Sequence, residues 1–205
     1  MRRLIALLLA LPSLALAQSL IDETRLPEPW IELAADLTGD GGAEVLRAMP
    51  FDLDHDIIAL TVSEEGRFSA PRLFAIGVNR TGEAGLEITS PSSFLIRTGC
   101  FACGRTHSEF LHKIAYRDGA FVVAGYTETM IDRIFAVRIT CDVNHLTGRA
   151  EVRLDGEVVA DGPAEKRYPL DDWSAERPAS CALMEPFEND SFLELYTAAR
   201  NAEAE

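Results

Sequence analysis

Residues 133–155 read RIFAVRITCDVNHLTGRAEVRLD. Phe135, Val137, Ile139 and Cys141 recur at every second position, as do Ala150, Val152 and Leu154. Arg149, Glu151, Arg153 and Asp155 fill the places between the latter three and beside them. Successive side chains of a strand point to opposite faces, so this period marks strands with one buried and one wet face. That alternation belongs to antiparallel sheets. The turn between the two runs is Asn144 to Gly148, NHLTG.

The same period extends upstream. Phe110, His112, Ile114 and Tyr116 share a face, with Glu109, Lys113 and Arg117 opposite. Asp118-Gly119 is a strong hairpin signal, and Phe121 to Thr127 returns from it. Residues 57–62, 72–78, 86–89 and 93–97 read as further strands, punctuated by Glu64-Glu65-Gly66 and Pro91. Trp30 to Ala35 is a short apolar piece, strand or single helical turn. Asp161 to Pro178 is polar and proline-bearing and reads as a loop. At the end, Phe192, Leu195, Tyr196 and Ala199 follow helical spacing over Ser191 to Ala202, with Ser191 and Glu194 as a capping box. The sum predicts a mainly β fold: an antiparallel meander forming a sandwich, barrel or propeller-like sheet, with one C-terminal α-helix.

The chain opens MRRLIALLLALPSLALAQ. A basic pair, an apolar run and Ala15-Leu16-Ala17 make a secretory signal, too short for a membrane span. The expected organisation is a signal peptide at 1–17, a flexible leader at 18–29, a single β-rich domain at 30–187, and a helix and tail at 188–205. The product is expected in the periplasm or outside the cell, with no membrane insertion. Without Arg2 and Arg3, 17 basic residues face 33 acidic ones, a net charge of −16. That field disfavours nucleic acid and favours cations or basic partners, such as a protein or an envelope component. Four cysteines in an exported chain predict two disulfides with three possible connectivities. Cys141–Cys181 with Cys100–Cys103 is the preferred set.

Asp36 to Glu44 reads DLTGDGGAE. Ca²⁺ takes several hard oxygen ligands, which a tight loop can supply from alternate positions. Asp36, Thr38 and Asp40 stand at positions 1, 3 and 5, the Gly42 carbonyl follows, and Glu44 could close the site. Gly39 and Gly41 permit the sharp bends. Arg47 stands where an EF-hand places its bidentate Glu, so the loop is not an EF-hand. Alternatively, the stretch is a turn whose Asp side chains cap backbone amides.

DLTGDGGAE resembles the acidic loop of FG-GAP and VCBS-type modules, D-x-[DN]-G-D-G-x-x-D. Asp36, Gly39, Asp40 and Gly41 match; Thr38 and Glu44 depart from it. YRDGAFVVAGYTE (116–128) and NHLTGRAEV (144–152) are similar to exported bacterial proteins of unknown function that carry one such loop before a β-meander. The resemblance implies a periplasmic or secreted β protein and implies no enzymatic activity; calcium is the cofactor expected from the loop residues themselves.

Other residues carry weaker signals. Asp52, Asp54 and Asp56 stand at period 2 around His55, as a second ligand patch or a solvated loop entry. Cys100-Phe-Ala-Cys103 is a CxxC, read as a tight structural disulfide, with a thiol–disulfide role as the alternative. Cys100, Cys103 and His107 resemble part of a zinc set without an evident fourth ligand. His55, His107, His112 and His145 form no HExxH; His112, among apolar neighbours, reads as a packed core or boundary histidine. Linear motifs of hydrolases and nucleotide enzymes are lacking, so a hydrolase would need a site assembled from loops, with no catalytic residue named in advance.

Overall fold

The computed structural model describes residues 31–50, 56–61, 63–64, 67–68, 72–76, 85–100, 104–172 and 177–203. The expectations for residues 1–29, for Asp52, Asp54 and His55, and for Cys103 fall outside them. The described chain is mainly β and antiparallel throughout, with one α-helix at the C-terminal end.

A small sheet orders β1 (Ile31–Ala35), β2 (Glu44–Pro50), β3 (Asp56–Thr61) and β6 (Arg72–Ile76). The hairpin β4 (Ser63–Glu64) and β5 (Arg67–Phe68) stands apart. The large sheet is a meander of β7 (Gly85–Ser90), β8 (Ser93–Cys100), β9 (Thr106–Arg117), β10 (Ala120–Asp132), β11 (Val137–Asn144), β12 (Arg149–Leu154) and β13 (Glu157–Pro163). The short β14 (Tyr168–Pro169) pairs with the first half of β10. Strands β7 and β13 end this sheet without pairing to each other, so it is open and not a barrel.

Two Asp-Gly turns set the register. Asp118 and Gly119 have φ of 53° and 81°, and Asp155 and Gly156 have 49° and 97°. Positive φ at both central residues is the hairpin-turn geometry that matches strand twist, and glycine adopts it without steric penalty. The turn at 133–136 corrects the expectation of a strand from Arg133. Asp132 folds back there, its Oδ1 accepting the amides of Ile134 and Phe135 at 2.8 and 3.0 Å.

The alternation read at 137–154 is realised in full. Val137, Ile139, Cys141, Val143, Ala150, Val152 and Leu154 are buried. The inner face of the large sheet carries two packed clusters. Leu37, Leu46 and Ala48 of the small-sheet side close over Leu86, Phe94, Ile96, Ile114, Phe121 and Val123. The second cluster joins β10–β12 to Cys181, Met184 and Leu193. Those residues come from a 3₁₀ segment, Ala179–Phe187, and from α1 (Asp190–Glu203). The helix starts one residue before the expected capping box. Its cap is Asn189, whose Oδ1 accepts the Ser191 amide at 2.9 Å.

Candidate functional site

Strands β1 and β2 are joined by the acidic loop, and the loop is folded on itself. Asp36 Oδ1 accepts the amides of Gly39 and Asp40 at 2.7 and 3.1 Å, and Oδ2 accepts that of Gly41 at 3.0 Å. Asp40 Oδ1 accepts the Gly42 amide at 2.7 Å. Glu44 is fully buried. Its Oε2 accepts the amides of Leu37 and Thr38 at 2.6 and 3.3 Å, and its Oε1 accepts the Thr38 hydroxyl at 2.9 Å. Gly39 and Gly41 have φ of 79° and 90°, as the bends require. All five expected ligand positions therefore lie in one corner, but Asp36, Asp40 and Glu44 are turned onto the loop's own N–H groups. Among the described residues, no three His, Cys, Asp or Glu side chains converge as an ion cage. A calcium ion here would share its oxygens with amides they already serve.

Cys141 and Cys181 form the expected disulfide, with Cα atoms 5.8 Å apart. Cys100 is also disulfide-bonded, and no described cysteine is free. It closes strand β8.

Sequence reading missed a buried polar cluster on the inner face, between the two apolar clusters. His112 of β9 stands across from Tyr126 of β10, their ring centroids 4.9 Å apart. The Tyr126 hydroxyl donates to Glu128 Oε2 at 3.1 Å, and Arg177 Nε donates to the same oxygen at 2.7 Å. Arg177 also pairs with Glu188. Burial, with the Glu128 charge behind it, pushes the Tyr126 hydroxyl above its ordinary range. Burial, then His145, holds His112 down at about 4. The unfolded chain takes up this proton near pH 6.5, the folded chain only near 4. The unfolded state therefore binds more protons between those values, and stability falls as pH drops through that window. The expected loss is about 3 kcal/mol, complete below pH 4. Denaturant titrations at successive pH values check this, and His112→Phe should flatten the acid limb.

The outer face of β11–β13 carries a groove of about 450 Å³, lined by Asp142, Asn144, Arg149, Glu151, Val158 and Asp161 among others. Asp142, Glu151 and Asp161 lie directly across from one another on three neighbouring strands. Like charges placed so destabilise a sheet. Two arginines offset part of that: Arg149 pairs with Asp161, and Arg153 with Glu151. Asp142 is contacted by the Thr127 hydroxyl at 3.5 Å. Burial first, and Glu151 second, push the Asp142 carboxyl up from its ordinary value.

No protein-family profile, curated protein or solved structure matches this chain.

Proposed function

We propose that this chain is an exported β-rich binding module whose outer sheet face takes a basic segment of a protein or envelope component. The observation that carries the reading is the groove over β11–β13. It sets three carboxylates in register on strands, and one of them, Asp142, has Arg153 and Lys113 acting on it only through space, with no close ion pair among the described contacts. A guanidinium or ammonium group placed there relieves the repulsion between Asp142 and Glu151 and shares Asp142 as a charge-assisted acceptor. The acidic chain as a whole steers such a partner toward it, an effect that weakens with salt. Two features support export: the apolar N-terminal run read from the sequence, and disulfides, which persist in oxidising compartments. Among the described residues no helix is long and apolar enough to cross a membrane.

Titrating the protein with short arginine-rich peptides, followed by amide NMR, tests this reading. Shifts should cluster at 140–162, weaken with added salt, and vanish in Asp142→Asn/Glu151→Gln. Shifts spread over the surface, or unaffected by those substitutions, would refute it.

Calcium at the Asp36–Glu44 corner is a secondary part of the proposal. Its affinity is weak, on the order of 10⁻⁴ M or poorer, because the loop offers few charged ligands. Calorimetry with millimolar Ca²⁺ decides: saturating heat in that range supports the ion, and its absence leaves a self-capped turn. A second reading has one observation in its favour. A carboxyl with raised pKa opposite another carboxylate is an arrangement used in acid–base hydrolysis. Hydrolysis of a substrate panel that is lost in Asp142→Asn would move the assignment there.

A further inference from the structure

Strand β10 changes partner in mid-course. Gly125 pairs with Asn144 of β11, whereas Val123 pairs with Tyr168 of β14. The register shifts between those two residues, so Ala124 is the extra residue of a bulge. His145 sits at this seam. Its amide donates to the Ala124 carbonyl at 3.1 Å, and its carbonyl accepts the Arg167 amide at 2.8 Å. Its Nδ1 lies 2.8 Å from the Glu165 carbonyl. A carbonyl oxygen is an acceptor, so Nδ1 carries the proton and Nε2 is left as a bare lone pair. That Nε2 is buried, in a residue 1% exposed, and has no hydrogen-bond partner among the described residues. Tyr168 meets the ring edge-on, centroids 5.4 Å apart.

Residues 164–169 form a strap held by these contacts, by the pairing of Tyr168 and Pro169 with β10, and by the exposed ion pair of Arg167 with Asp118 at 2.7 Å. The Ala164 amide donates to the Gly148 carbonyl at 2.9 Å. The Glu165 carboxylate accepts the Ser180 amide and hydroxyl at 3.0 and 2.7 Å, tying the strap to the segment that carries Cys181. Beneath the strap lie Val123 and Leu170, both fully buried.

We propose that the strap is an acid-released latch, with His145 as its bolt and His112 behind it. A second proton on His145 goes to Nε2, where the described structure offers no acceptor. The groups around the pair come from every packed element: His112 on β9, Tyr126 and Glu128 on β10, Glu165 and Tyr168 on the strap, and Arg177 with Glu188 from the C-terminal side. Neither nearby carboxylate is open. Glu128 is engaged by Tyr126 and Arg177, and Glu165 by Ser180. Glu165 attracts a charged His145 through space, while His112 repels it once both are protonated. The strap yields before the sheet because β14 has two paired residues, whereas His112 lies inside the twelve-residue strand β9. Release uncovers the apolar surface under residues 164–170.

Hydrogen exchange of the whole protein between pH 7.5 and 5, corrected for intrinsic rates, tests the latch. The amides of Ala164 and Arg167 should lose at least tenfold protection by pH 5, while those of Val143 and Val152 keep theirs. His145→Asn keeps a donor toward Glu165 but takes up no proton, and its strap should stay protected. A wild-type strap that stays closed at pH 5, or opens only together with the sheet, would overturn the proposal. So would unchanged pH dependence in His145→Asn. Should that variant fail to fold, His145→Gln, which likewise keeps an amide donor and takes up no proton, decides: its strap must stay protected at pH 5, and release at the wild-type pH counts against the latch.

Discussion

Replacing both Cys141 and Cys181 by alanine is expected to lower the melting temperature by about 8–16 °C. The bridge closes a separation of 40 residues. In the chain-entropy account, losing such a cross-link costs about 4 kcal/mol. For a chain of this size each kcal/mol moves the transition by about 2–4 °C. The bridge ties β11 to the 3₁₀ segment that seats Met184 on the inner face, and both cysteines are fully buried. The double substitution also spares the disulfide at Cys100, which reductant would break. Scanning calorimetry without reductant is the measurement. A shift under about 3 °C would mean that packing alone docks the segment, with the bridge contributing little beyond what 1 kcal/mol supplies.

The second large effect belongs to Arg177. Arg177→Met removes the cation that Glu128 meets at 2.7 Å while leaving a carboxylate whose side chain is 11% exposed. Breaking one half of a buried pair is costlier than removing both, because the remaining charge is stranded. The expected destabilisation is about 3 kcal/mol, the low end for buried pairs, since Arg177 itself keeps some contact with solvent. Glu128→Gln/Arg177→Met should recover at least half of that loss. A double-mutant cycle by urea denaturation reads the coupling directly. Additive losses would show that Glu128 finds water or another donor once Arg177 is gone.

The sequence carried the strands whose burial alternates. Residues 110–117 and 137–154 show period 2 because one face packs and the other meets water; the structure keeps that division along β11 and β12, while on β9 Ala115, on the face of Lys113, is buried as well. Strand β13 escaped notice although Asp155-Gly156 repeats the signal read at Asp118-Gly119. Its edge position leaves Val158 and Val159 half exposed, so no alternation marks it. The segment 179–187 escaped because a 3₁₀ turn with an internal proline follows neither helical nor strand spacing. The acidic loop was legible as a corner, and its Asp side chains accept backbone amides there. The buried polar cluster was invisible in one dimension. His112, Tyr126, Glu128 and Arg177 come from three segments, and nothing local requires that a glutamate on one strand should meet an arginine 49 positions later. The groove is similar: Asp142, Glu151 and Asp161 become a row only through the register of three strands.

One inner wall serves two roofs, and the roofs are supplied by opposite ends of the polypeptide. A chain emerging from its amino end holds the first roof before the wall exists. The second half of the wall, from Tyr126 to Leu154, is then complete well before residues 177–203 arrive to shelter it. During that interval a ready-made greasy sheet surface faces whatever is nearby, which is when nascent β proteins stick to one another. The final helix and the turn before it therefore govern how safely the protein matures as well as how firmly it stands once made.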